Sequence, residues 1–173
     1  LEGILTHYPD FTINGSFDSY RLSNIELNLL HCLFNQYYRM GDISLCILGH
    51  KKLLAYLSKK LRTTSYIVHK KLHFELTVLA LVSHNIFICG QNDVPFSELL
   101  DIIENSISLL KMYGYSESLP ELLFDRTYLH YKLGDIAAYE ASLSESISIS
   151  NFFIGEENTK ELDGIILNYL SNK

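Results

Sequence analysis

The sequence predicts an all-α fold, a right-handed stack of antiparallel helical hairpins. Three observations lead there. A short phrase is repeated: residues 37–44 read Tyr-Tyr-Arg-Met-Gly-Asp-Ile-Ser and residues 130–137 read His-Tyr-Lys-Leu-Gly-Asp-Ile-Ala. Each copy joins two stretches of helical spacing, and helix, Gly-Asp turn, helix is one unit of a stacked repeat. Only 3 prolines and 9 glycines interrupt the 173 residues, which favours long helices.

Residues 1–22 carry the turn signals Tyr8-Pro9-Asp10 and Asn14-Gly15-Ser16. They are expected to be an irregular segment, a linker from a missing upstream domain, ahead of a helical-repeat domain over 23–173. Ser23 or Asn24 caps the first helix, with Glu26 in its first turn. Ile25, Leu29, Leu30, Leu33, Phe34 and Tyr37 follow at helical spacing, and Gly41 ends the helix in a left-handed turn. Asp42 caps a second helix running roughly to Leu61, with Cys46, Ile47, Leu53, Leu54 and Leu57 apolar. Thr63-Thr64-Ser65 is a polar break. A long third helix is expected over Tyr66–Cys89, with Leu72, Leu76, Leu79, Ser83 and Ile86 on one stripe. Gly90-Gln91-Asn92-Asp93 makes the next turn, and Pro95 opens a helix over about Phe96–Tyr113.

Gly114–Ser118 is a further break, and Pro120 suits the start of a helix over Glu121–Leu133. Gly134-Asp135 turns into a helix over Ile136–Ser150. There Ser142, Ser144, Ser146, Ser148 and Ser150 alternate as in a strand. Ile136, Tyr139, Leu143, Ser146, Ile147 and Ser150 nevertheless mark a helical stripe, so a helix is predicted. A last helix over about 158–170 carries Leu162, Ile165, Ile166, Tyr169 and Leu170. The turn glycines 41, 90 and 134 are unequally spaced, and both intervals exceed the tetratricopeptide period of about 34. The predicted architecture is therefore a tetratricopeptide-like solenoid with long, irregular units.

Composition narrows the function. A formal net charge of −6 disfavours wrapping nucleic acid with this segment, because phosphate binding needs a basic face. Cys32, Cys46 and Cys89 form no C-x-x-C pair, and their apolar surroundings suit reduced, core-filling thiols in a cytoplasmic protein. The apolar stretch Leu76–Cys89 is interrupted by Thr77, Ser83, His84 and Asn85 and is expected to be too short and polar to span a bilayer. His69 and His73 share a helix face but are too few to ligate zinc, so no metal and no cofactor are expected. No G-x-G-x-x-G, Walker A or G-x-S-x-G signature occurs, and the chain is not expected to be an enzyme.

Polar residues set among apolar ones at helical intervals are the binding candidates: Asn28, His31 and Asn35 in the first helix, His84 and Asn85 in the third, Arg126, Tyr128 and His130 in the fifth. First helices of stacked hairpins line a concave surface, where amides pair with the backbone of an extended peptide. The competing reading is a solvated face or an amide capping a neighbouring helix. Asn85 stands out, since an unpartnered amide in apolar surroundings is costly.

The segments Leu76-Thr77-Val78-Leu79-Ala80-Leu81-Val82-Ser83-His84-Asn85 and Leu123-Phe124-Asp125-Arg126-Thr127-Tyr128-Leu129-His130-Tyr131-Lys132-Leu133-Gly134 follow the Ile25–Phe34 helix in order and lead into Ser144-Glu145-Ser146-Ile147-Ser148-Ile149. This series, over about residues 20–155, resembles the C-terminal sensor domain of Rgg/MutR-type transcriptional regulators, which sense peptides in Gram-positive bacteria. The tryptophan often found near the start of the first sensor helix is absent here. The resemblance implies a short signalling peptide on the concave face, with Asn85 as the inner-surface asparagine. It also implies a homodimer, and DNA contact only through a helix-turn-helix domain not in this chain. The apolar face of Leu162, Ile165, Ile166 and Leu170 is the candidate dimer seam, or else packs on the preceding pair. The alternative function is a constitutive protein-interaction scaffold.

Overall fold

The computed structural model describes residues 12, 15–18, 20–64 and 72–154. Among them are six α-helices and no strand: α1 (Asn24–Arg39), α2 (Ile43–Thr63), α3 (His73–Gly90), α4 (Phe96–Met112), α5 (Leu119–Leu133) and α6 (Ile136–Ile154). The expected helix over 158–170 and residues 66–71 lie outside the described residues, and the third helix, expected from Tyr66, begins at His73 with Leu72 non-helical before it. Each helix packs on its successor, and α1, α3 and α5 also touch in series.

Local chemistry explains the helix ends. Ser23 and Glu26 form a reciprocal capping box on α1: the Glu26 N–H donates to Ser23 Oγ at 3.4 Å, and the Ser23 N–H to Glu26 Oε2 at 2.7 Å. The two copies of the repeated phrase build the same turn. Gly41 and Gly134 take φ of 82° and 75°. The Asp42 N–H donates to the Tyr37 carbonyl at 2.9 Å and the Asp135 N–H to the His130 carbonyl at 3.1 Å, closing a Schellman motif each time. Each aspartate then caps the next helix through its side chain, which accepts from the N–H of Leu45 or Ala138. Gly114 makes the same turn with φ 63°, but between α4 and α5.

Gly90 is a glycine for another reason. It has no positive φ, and a Cβ there would meet Val94 Cγ2 at 3.0 Å and Leu99 Cδ2 at 3.2 Å. It lets α4 close on the end of α3.

The core departs from the sequence expectation in three places. Ile25 and Leu29, read as part of the apolar face of α1, are exposed, and Leu27 is buried in their stead. Phe17 and Leu22, in the expected linker, are buried, and the Leu22 N–H donates to the Tyr56 hydroxyl at 3.0 Å. The alternating serines are a helix, as the stripe predicts: Ser142, Ser146 and Ser150 are buried on one side, while Ser144 and Ser148 are exposed. Thr127 Oγ1 lies 2.8 Å from Ser142 Oγ and 3.1 Å from Ser146 Oγ, so a small polar seam joins α5 to α6. Finally, α3 has 18 residues of mean hydropathy 1.3, long and apolar enough to cross a membrane, contrary to the expectation; 61% of it is buried, as in the central helix of a protein core.

Candidate functional site

Burial on α3 follows the helical period. Leu76, Leu79, Ser83 and Ile86 face the core, and the opposite stripe carries Thr77, Leu81, His84, Asn85 and Ile88. Leu81 and Ile88 are large apolar groups left exposed at 38% and 40%. Asn85 sits half-buried between them, and its amide makes no hydrogen bond among the described residues.

His84 reaches across to α5, where its Nδ1 lies 2.8 Å from Asp125 Oδ2. That hydrogen bond raises the His84 pKa against the opposing effect of burial, helped by the charges of Asp125 and Glu121. Asp125 is itself raised, from 3.8 to about 6, chiefly by burial, which His84 only partly offsets. Tyr128 packs edge-on against Phe87 at 5.6 Å between centroids, with the Lys132 ammonium 5.3 Å from its own ring centre. His84 and Asn85 therefore share the half-buried side of α3, with Asp125 of α5 buried beside His84, whereas Tyr128 is buried in the core against Phe87.

The other candidates go elsewhere. Arg126 is buried on the far side of α5. Its Nε donates to Ser142 Oγ at 2.8 Å, its Nη2 to Glu145 Oε2 at 2.7 Å, and Glu104 lies 3.6 Å from Nη1. Glu145 is held below the ordinary carboxylate range by the Arg126 and then the Lys111 hydrogen bonds. His130 faces the same Glu104, at 4.0 Å. These two residues clamp α5 to α4 and α6.

On α1, Asn28 is exposed, while His31 is buried with Asn35 Nδ2 3.2 Å from its Nε2. Burial, then the neighbouring His50, push the His31 pKa down to about 4, so it is neutral at pH 7. His31 lies edge-on to His50, ring centres 5.4 Å apart.

Sequence reasoning missed Asp125 as the partner of His84. Its signal was an acid directly after the apolar run Leu122-Leu123-Phe124. It also missed two grooves. One, of about 410 Å³, runs between α2 and α4 and is lined by Lys51, Leu54, Arg62, Glu98, Ile102 and Asn105 among others. The other, of about 370 Å³, lies between α2 and the preceding segment, beside Asp18, Arg21, Tyr56, Lys59 and Lys60. None of the eight candidate residues lines either groove. No group of three or more His, Cys, Asp or Glu among the described residues is arranged to hold a metal. Comparison with protein-family models, curated proteins and solved structures finds no match to this chain.

Proposed function

We propose that this chain is the ligand-sensing and dimerisation domain of a bacterial transcriptional regulator, and that it binds a short signalling peptide. In this reading α1–α2, α3–α4 and α5–α6 are three tetratricopeptide-like hairpins in a right-handed stack, with α1, α3 and α5 lining the concave side. The serial contacts of those three helices support it. The observation that carries the binding role is Asn85, a half-buried amide without a hydrogen-bond partner among the described residues, between exposed Leu81 and Ile88. Its N–H₂ and C=O match the alternating groups of an extended backbone, and the two aliphatic neighbours accept alternate side chains. His84 with Asp125, and Lys132 beside Tyr128, supply polar contacts at the edge.

A screen of short extended peptides by thermal shift tests the proposal. A peptide at about 100 times its Kd adds roughly 2.7 kcal/mol to apparent stability. Asn85→Ala is expected to weaken such a peptide about tenfold in calorimetry, near the worth of one amide hydrogen bond of about 1.4 kcal/mol, while leaving the melting temperature of the free domain unchanged. Equal affinity in that variant would remove Asn85 from the site.

The scaffold reading has its own supporting feature, the groove between α2 and α4 with Leu54 and Ile102 flanked by charges. Leu54→Asp separates the two, since it blocks that groove and leaves the α3 surface intact. The proposed dimer seam lies outside the described residues, and light scattering at micromolar concentration tests the dimer directly.

A further inference from the structure

Two of the three cysteines, read from sequence as inert core filling, meet in space. Cys46 on α2 and Cys89 on α3 bring their sulfurs to 3.5 Å, and both are buried. His50, one turn after Cys46 and fully buried, places Nδ1 3.4 Å from the Cys46 sulfur. Packing alone accounts poorly for this cluster, because His50 Nε2 and His31 Nδ1 are both buried without a hydrogen-bond partner. Cys32 is a natural comparator: it is exposed on α1, and its sulfur lies 3.9 Å from Asn28 Oδ1.

We infer that Cys46 and Cys89 are an oxidisable dithiol, a modification site where hydrogen peroxide closes a disulfide between α2 and α3. The inference stands independently of peptide binding. The hydrogen bond shared by the two sulfurs lowers the Cys46 pKa and raises that of Cys89, with His50 further favouring the Cys46 thiolate. The roles follow from this polarity. Cys46 gives its proton to His50 Nδ1, and the thiolate attacks one peroxide oxygen. The O–O bond breaks, and the departing hydroxide takes the proton from His50, leaving water and a sulfenic acid on Cys46. The Cys89 sulfur then attacks the Cys46 sulfur, the S–O bond breaks, and the hydroxyl leaves as water with the Cys89 proton. Two thiols are oxidised, one peroxide is reduced, and two waters form. The sulfurs need to close only from contact to a bond of about 2.05 Å. Cys89 lies one turn after Asn85, so the bond pins the end of α3 to the start of α2.

The test uses the whole reduced chain, hydrogen peroxide, alkylation and tryptic mapping. The three cysteines fall in separate peptides, Leu22–Arg39, Met40–Lys51 and Leu72–Lys111. The expected product joins Met40–Lys51 to Leu72–Lys111 with the loss of two hydrogens, and dithiothreitol reverses it. In Cys89→Ser, dimedone is expected to trap a sulfenic acid on Cys46. In His50→Gln, shown by circular dichroism to be folded, linkage is expected at least about tenfold slower; an unchanged rate overturns the proton-transfer role. Oxidation of Cys32 while Cys46 and Cys89 still alkylate fully after denaturation overturns the proposal.

Discussion

Gly49→Ala is expected to destabilise the domain, although alanine in a helix interior normally gains about 1 kcal/mol over glycine. Gly49 is buried inside α2, where α2 crosses α1. A methyl group there would sit 2.3 Å from Phe34 Cδ1 and 2.4 Å from Cε1, against about 3.5–4.0 Å for carbons in contact. The ring has little room to yield. Phe34 is fully buried, stacked on Phe17 at 6.5 Å and edge-on to His50 at 5.5 Å. Overpacking costs about 1–3 kcal/mol, and a ring enclosed on three sides belongs near the top of that range. Offsetting the helix gain leaves a net loss of about 2 kcal/mol. The urea midpoint should fall at unchanged slope, and the melting temperature by about 4–8 °C. In a Phe34→Leu background the obstruction is gone, and Gly49→Ala should become neutral or stabilising, a coupling read from a double-mutant cycle. A Gly49→Ala variant as stable as the parent would refute the close approach of α1 and α2.

The paired His84 and Asp125 predict a pH slope. Asp125 is raised from 3.8 to about 6 and His84 is raised above 6.5, so each holds more protons folded than unfolded. The stability from Asp125 is complete below 3.8 and lost as pH rises through about 6, and that from His84 is complete below 6.5 and lost above it. Asp125→Asn should flatten the curve of unfolding free energy against pH across that window, and an unchanged slope refutes the assignment. Arg126→Met keeps the packing of the side-chain stem but abandons Ser142 and Glu145. It should lose about 2 kcal/mol in urea unfolding, with no loss of peptide affinity; the opposite pattern would return Arg126 to the binding site.

Much of the helical order was legible in the sequence, because it rests on local rules. Ser23 and Glu26, the Gly-Asp turns, Pro95 and Pro120 act within one helical turn of themselves, so their outcome hardly depends on what packs above them. The candidate site was legible only in part. His84 and Asn85 fall on one side of α3, whereas Tyr128 of α5 is buried against Phe87, and Arg126 and His130, on the same helix, face Glu104. A helical wheel places residues on faces but does not say which face meets α3 and which meets α4. The buried face of α1 shows the same gap: Leu27, not Ile25, is buried.

What the sequence by itself determined is the order of the described helices and the ends that carry a local signal, the capped starts of α1 and α2 and the Gly-Asp turns, since capping and glycine dihedrals are short-range effects. By contrast α3, without a side-chain cap, begins at His73 rather than Tyr66, and α6 runs to Ile154 rather than Ser150. What only the tertiary structure decided is which side chains meet. Cys46 and Cys89 are 43 residues apart, and His84 and Asp125 are 41 apart. No local periodicity carries those distances. They follow from how α2, α3 and α5 cross, which is set by the collective fit of the whole core.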